Sequence, residues 1–226
     1  MQRAIDITFS GIALIFLAPL LLIVITILRF TGEKEIFFLQ DRIGKNRSIF
    51  KVYKFATMVK NSENIGSGTL TMKNDSRVLP FGKFLRKTKI NEIPQLFNIL
   101  NGDMSIVGPR PLVPEGENHY LADVSKKIRS IRPGATGIGS LVLRDEESYY
   151  AHREDAHDFY KNVISPYKGL LELWYIENRS IYINFKILVL TFVAIINTRF
   201  DPLHFFDDVP KIPEEMLLSK KNHTQQ

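Results

Sequence analysis

From Ile7 to Phe30 the chain is apolar apart from Thr8, Ser10, Thr26 and Arg29, a run long enough to cross a hydrocarbon core of ~30 Å. A membrane-embedded helix is therefore predicted. Pro19 falls near its middle, where it lacks an N–H to donate and its ring clashes with the preceding turn. Positive residues flank both ends, Arg3 on one side and Arg29 with Lys34 on the other, so charge selects no orientation. A re-entrant helix hairpin bent at Pro19, with both ends on one side of the bilayer, accounts for both features, and a simple single-pass helix is the alternative. A signal peptide is disfavoured, because no small-x-small cleavage site precedes the charged Gly32-Glu33-Lys34-Glu35.

The remainder is long enough for one domain with a sizeable core, in a chain of 226 residues that has no cysteine and hence no disulfide framework. Thirty Lys and Arg against twenty-four Asp and Glu leave a net charge of +6, which favours anionic partners. Nucleic acid, an anionic membrane surface and phosphorylated substrates all satisfy that balance. The apolar segment decides for membrane lipid and against nucleic acid.

Chemistry concentrates between Leu85 and Leu112, reading LRKTKINEIPQLFNILNGDMSIVGPRPL. Ile93, Leu96, Phe97 and Leu100 recur at helical spacing and predict a short helix buried on that side, with Gln95 and Asn98 on the other. Asn91 is the expected N-cap, Pro94 suits the first turn, and Gly102 supplies a left-handed end. Glu92 then lies at the positive end of a helix beside Arg86, Lys87 and Lys89, with Arg110 following in Gly108-Pro109-Arg110-Pro111. Such a set can hold a magnesium-bridged phosphate. Among the cations Arg86 is favoured, because its planar fork matches a diphosphate better than an ammonium does.

These residues resemble the bacterial sugar transferases, the monotopic phosphoglycosyl transferases. Glu92, Pro94, Gln95, Asn98, Gly102, Asp103, Met104, Ser105, Gly108, Pro109, Arg110 and Pro111 all fit that family's pattern in register, as do Gln40, Arg42 and Gly44 upstream. The resemblance implies transfer of a sugar 1-phosphate from a nucleotide diphosphosugar, with a UDP-sugar as the expected donor, to polyprenyl (undecaprenyl) phosphate, which initiates a lipid-linked surface glycan. It implies Mg2+ with Glu92 as its ligand, a place at the cytoplasmic face of the bacterial inner membrane, and is compatible with a homodimer. Substrate contacts carried over are Arg86, Arg110, Lys54, Arg132 and, from the turn-rich Ile131 to Gly137 segment, Pro133, Gly134 and Thr136. Three positions depart, besides the Ile138-Gly139-Ser140 stretch where the family commonly continues with a tryptophan and a glutamine. Asn91 stands where the family has its nucleophilic aspartate, Ala18 stands where a serine precedes the bend proline, and Ala56 replaces an arginine. An amide is neutral and a poor nucleophile, so Glu92 becomes the essential carboxylate, acting either as nucleophile or as metal ligand. A catalytically inactive, membrane-tethered homologue is the alternative.

The expected architecture is α+β and helix-dominated. Residues 1–32 form the membrane segment, 33–200 the catalytic domain with interfacial amphipathic helices, and 201–226 a loosely held C-terminal tail. Ile36–Leu39 and Ile49–Tyr53 predict a small β-hairpin. Asn61–Asp75 reads as a loop able to cover the site, and Val78–Lys89 as a short helix with Phe81, Phe84 and Leu85 inward. Arg132 and Arg144 read as phosphate contacts or as ion pairs with Asp145, Glu146 and Glu147. His152, Glu154, Asp155, His157 and Asp158 read as a solvated face rather than a metal site. Ser180 is the expected cap of an interfacial helix Ile181–Ile196 anchored by Trp174, Tyr175 and Tyr182.

Overall fold

A computed structural model describes residues 2–65, 75–114, 120, 122–150, 153–197 and 200–224. Much of the predicted Asn61–Asp75 loop, and His152, lie outside them. The chain divides into two units, Met1–Arg42 with Phe50–Ile106 and Ile43–Ile49 with Val107–Gln226.

The first unit begins with helix α1, Gln2–Phe30, which runs without interruption through Pro19. It is long and apolar enough to cross a membrane. The helix is not a detached anchor. Leu21, Val24 and Leu28 join Phe55 and Leu85 in one buried cluster, against which Ile90 and Ile93 also pack. Its other face exposes Ile12, Ile15, Phe16 and Ile23. At its start Arg3 donates to the carbonyls of Ile99 and Leu100, and Asp6 Oδ1 accepts the Ile106 N–H at 3.1 Å. The cation thus sits at the negative end of a helix, where unsatisfied carbonyls collect.

Strands β1, Phe37–Ile43, and β2, Ile49–Phe55, form the expected hairpin. Helix α2 covers Pro80–Lys87 and helix α3 Gln95–Asn101, closed by Gly102 at φ 93°. Gly82 permits α2 to lie on the preceding chain, since a Cβ there would stand 2.1 Å from the Thr57 carbonyl oxygen. Leu85 is buried as expected and Phe81 partly so, but Phe84 faces outward.

The predicted orientation of α3 holds only in part. Gln95, Asn98 and Ile99 are buried while Phe97 is exposed. Asn98 turns inward because the strand needs it: its Oδ1 accepts the Tyr53 N–H at 2.9 Å, and its Nδ2 donates to Lys51 O at 2.8 Å and to Asp103 Oδ2 at 3.2 Å. A buried amide satisfied on both sides is a stable core group, which hydrophobic periodicity does not register.

Strand β3, Ser105–Val107, ends at the first residue of the Val107–Gln226 stretch of the second unit and pairs with β4, Gly134–Thr136, continued by Gly108 N–H to Thr136 O at 2.9 Å. Helix α4 spans Ala122–Ile128, α5 Ile138–Val142 and α6 Ala156–Phe159. A π-helical turn then leads into α7, Ser165–Asn178. Helix α8, Ile181–Ile196, is capped by Ser180, whose Oγ accepts the Ile183 N–H at 3.1 Å. Ile187, Leu190 and Ala194 bury one side of α8; Tyr182, Phe185, Phe192 and Ile196 are exposed on the other. Trp174 and Tyr175 are buried rather than surface anchors. The tyrosine hydroxyl finds Asn184 Oδ1 at 2.7 Å, and the indole packs edge-on to Phe206 at 5.5 Å.

The segment expected as a loosely held tail contains helix α9, Glu214–Thr224, with Met216 fully buried. Ser219 Oγ donates to Tyr149 O at 2.6 Å, and Tyr167 donates to Pro210 O at 2.9 Å. Apolar Met216 and these two polar contacts fasten it.

Candidate active site

In the first unit the acidic motif begins with a left-handed residue. Lys89, at φ 59°, enters a single 3-10 turn formed by Ile90–Glu92, and α3 starts only after Pro94. Asn91 is therefore not the N-cap. An N-cap residue holds an extended backbone and offers its oxygen to N–H groups ahead of it, whereas Asn91 lies within the turn. Its side chain is buried, and Oδ1 has no hydrogen-bond partner.

Glu92 points the other way. Its side chain is 26% exposed and meets Lys54, 18% exposed, with Nζ 3.3 Å from Oε1. Lys54 comes from β2 and Glu92 from the turn, so the hairpin and the α3 entry together create a partly solvated carboxylate–ammonium pair. The residues flanking the acid, Ile90 and Ile93, rest on the α1 cluster. Helix α1 thereby backs the acid directly. Arg86 lies in the last turn of α2, half-buried, one residue beyond the fully buried Leu85.

Magnesium makes modest demands on such a site. It retains several waters and is commonly held by one or two carboxylates together with substrate phosphates. Among the described residues there is no cluster of three or more His, Asp or Glu side chains. The donor set fits an ion shared with a phosphorylated substrate, with Glu92 as the protein's carboxylate, and not a closed protein cage.

In the second unit, Gly108-Pro109-Arg110-Pro111 folds back against the Pro133–Gly137 segment. Gly134 N–H donates to Pro109 O at 2.8 Å. A Cβ on Gly134 would lie 2.1 Å from Gly108 N, and one on Gly137 2.2 Å from Gly108 O. The glycines permit backbone to pack on backbone. Pro133 and Gly134 are buried, and Thr136 places its hydroxyl 2.9 Å from that of Thr191 on α8. Arg110 and Arg129 border a small cleft with Pro109 and Pro133. Arg132 is half-buried beside the same turn. Arg144 is occupied elsewhere, donating to the Ala194 carbonyl at the end of α8. The acidic stretch after residue 152 behaves as a surface: Arg153 pairs with Asp155 at 2.7 Å.

Sequence reasoning turned one polar residue that shapes these regions the wrong way and missed two others. Asn98 fixes α3 to β2, while Glu172 and Lys168 on α7 are buried. Glu172 Oε1 accepts the Arg110 N–H at 3.3 Å, and Lys168 pairs with Glu146 and lies 3.0 Å from the Tyr160 hydroxyl. Burial alone would lower the Lys168 pKa, but Glu146, Tyr160 and Tyr120 hold it above the ordinary lysine value. A charged pair embedded in an otherwise apolar helix was the available signal.

Comparison with known proteins agrees with the motifs. The bacterial sugar transferase family matches residues 1–198. An exopolysaccharide production protein ExoY of Sinorhizobium fredii is 36% identical over 162 residues, 66% of this chain and 71% of that protein. An undecaprenyl-phosphate glucose phosphotransferase of Komagataeibacter xylinus is 33% identical over 202 residues, covering 84% of this chain and 35% of its own length. An undecaprenyl-phosphate galactose phosphotransferase of Salmonella typhimurium is 31% identical over 205 residues, with 84% and 39% covered. The chain thus spans well under half the length of the last two relatives. A family match over residues 1–198, most of the chain, places it in the bacterial sugar transferase family.

Proposed function

We propose that this chain transfers a sugar 1-phosphate from a nucleotide diphosphosugar, a UDP-sugar, to undecaprenyl phosphate, and so initiates a lipid-linked surface glycan at the cytoplasmic face of the bacterial inner membrane. One observation carries the reading: the turn that presents Glu92 beside Lys54 is packed through Ile90 and Ile93 onto the long apolar helix α1. An acid built onto a membrane-embedding helix suits a reaction whose acceptor phosphate is held in the bilayer. The exposed apolar faces of α1 and α8 support lipid contact on both units.

The reaction exchanges one phosphoanhydride for another. The bond between the sugar-bearing phosphorus and the nucleoside monophosphate breaks, a bond from that phosphorus to an oxygen of the lipid phosphate forms, and nucleoside monophosphate leaves. Glu92 serves this exchange because Asn91, a neutral amide, cannot supply an anionic oxygen. Lys54 orients the carboxylate, and its ammonium offsets negative charge gathering around it. Arg86 is assigned to phosphoryl oxygens at the first unit's acid turn and Arg110 to a substrate anion at the second unit's Gly-Pro-Arg-Pro turn, each by its planar, permanently charged guanidinium group. Magnesium, when held by Glu92, would neutralise diphosphate charge and polarise the phosphoryl oxygens.

The test is release of uridine monophosphate from a panel of UDP-sugars by the purified chain with undecaprenyl phosphate and magnesium. Release that depends on the lipid and disappears in Glu92→Gln is expected. A hydroxylamine-sensitive phosphosugar on Glu92 would assign the acid as nucleophile; active protein without one would assign direct attack by the lipid phosphate. Absence of release, with turnover gained in Asn91→Asp, would overturn the active reading in favour of a membrane-tethered binding protein.

A further inference from the structure

Helix α7 directs two buried polar side chains, Glu172 and Tyr175, at the Val107–Arg110 turn from positions three residues apart, and hence from one helix face. Glu172 is 3% exposed, and its Oε1 accepts the Arg110 N–H at 3.3 Å. The Tyr175 hydroxyl lies 3.2 Å from Val107 O and 2.7 Å from Asn184 Oδ1. Both ends of the turn are therefore gripped by one helix. The grip is tight, because a Cβ on Gly139 would stand 2.6 Å from Glu172 Oε1. The second carboxyl oxygen, Oε2, is buried without a hydrogen-bond partner. The proposed chemistry uses neither side chain.

We infer that Glu172, with Tyr175, is a positioning residue that holds the Val107–Arg110 turn so that Arg110 presents its guanidinium to the diphosphate of the donor. This rests on the proposed function for the identity of the anion, but not for the grip itself. The charged and titratable groups around Glu172 are Arg110 on the turn, Lys168 one helical turn away, and Tyr120, with Glu146 and Tyr160 around Lys168. Burial pushes the Glu172 carboxyl up to about 7, against the downward pull of the Arg110 N–H and of the charges on Lys168 and Arg110. While protonated, Glu172 binds the main chain of Arg110 and leaves its charge to the substrate. Once ionised, it competes for that charge. The grip on an anion weakens as pH rises through neutrality.

Two readouts on the full-length protein test this. Uridine diphosphate binding, followed by calorimetry from pH 6 to 8.5, should weaken about fivefold in the wild type as an uncompensated carboxylate forms. In Glu172→Gln, which keeps an oxygen acceptor but cannot ionise, that weakening should be absent, leaving only the pH dependence of the nucleotide's own terminal phosphate. Glu172→Leu, without any acceptor, should bind about tenfold more weakly at every pH. Amide hydrogen exchange at Arg110, corrected for intrinsic pH dependence, should be slow in the wild type and Glu172→Gln but fast in Glu172→Leu. Tyr175→Phe, which removes only a hydroxyl, should accelerate exchange along Gly108–Arg110. Equal Arg110 exchange in Glu172→Leu and wild type, or an unchanged pH dependence of binding in Glu172→Gln, would overturn the inference. If the wild type binds no uridine diphosphate, the proposed function has failed, and amide exchange alone decides the positioning role.

Discussion

Glu92 and Glu172 are both glutamates with a lysine for company, yet the two units put them to opposite uses. Glu92 shares a partly solvated pair with Lys54, on a turn between two helices. Glu172 is enclosed on α7, offers one oxygen to a backbone N–H, and has its carboxyl pushed up to about 7. Water and a flexible partner keep a carboxylate available for an incoming phosphate. Burial converts the same group into a brace that responds to protons. Side-chain chemistry alone does not assign a role; the dielectric around it does.

The comparison breaks most visibly at the exposed acid. Glu92→Gln should reduce nucleoside monophosphate release on the order of 10^3-fold or more, with the fold intact by circular dichroism. Residual activity within tenfold of wild type would show that the carboxylate is dispensable. Next in size is Asn98→Ala, which strands the Tyr53 N–H, the Lys51 carbonyl and Asp103 in the first unit. A loss of about 3 kcal/mol in urea unfolding is expected. Lys54→Met should lower turnover about tenfold to thirtyfold with little change in stability, since a pair with this exposure contributes chiefly through the substrate.

The buried acid sharpens the contrast through pH. Its ordinary value of 4.5 in the unfolded chain rises to about 7 in the folded one, so between those values the native state holds the extra proton. Stability therefore falls as pH climbs from about 4.5 through 7. Glu172→Gln should flatten that decline, seen as urea midpoints at pH 5 and pH 8 that lie closer together than in the wild type. The smallest effect concerns neither acid. Ser180→Ala should cost about 1 kcal/mol by removing the α8 cap, measured in the same titration.

Local chemistry made several of these features legible in the sequence. The β-hairpin followed from two short apolar runs around a turn, the Ser180 cap from a hydroxyl before an apolar helix, and the end of α3 from Gly102. Asn98 was placed on the wrong face because hydrophobic periodicity scores an amide as outward, although this one is satisfied by a strand distant in sequence. Asn91 was misplaced because a left-handed Lys89 starts a 3-10 turn earlier than Pro94 suggested. Trp174 and Tyr175 resembled headgroup anchors, but an aromatic ring with a polar tip is equally content inside when the tip meets Asn184 or the ring meets Phe206. For Asn98, Trp174 and Tyr175 a tertiary partner reversed a reading that was sound for an isolated segment; for Asn91 the local backbone did so.

Arg3 clasping the end of α3, with Leu21, Val24 and Leu28 inside the first unit, has a practical corollary. Clipping off the greasy N-terminus to obtain a water-soluble enzyme would excise structural material and leave Leu85 and Phe55 bare. A soluble version is better sought by recolouring the outward positions Ile12, Ile15, Phe16 and Ile23 with polar side chains while the helix itself stays in place.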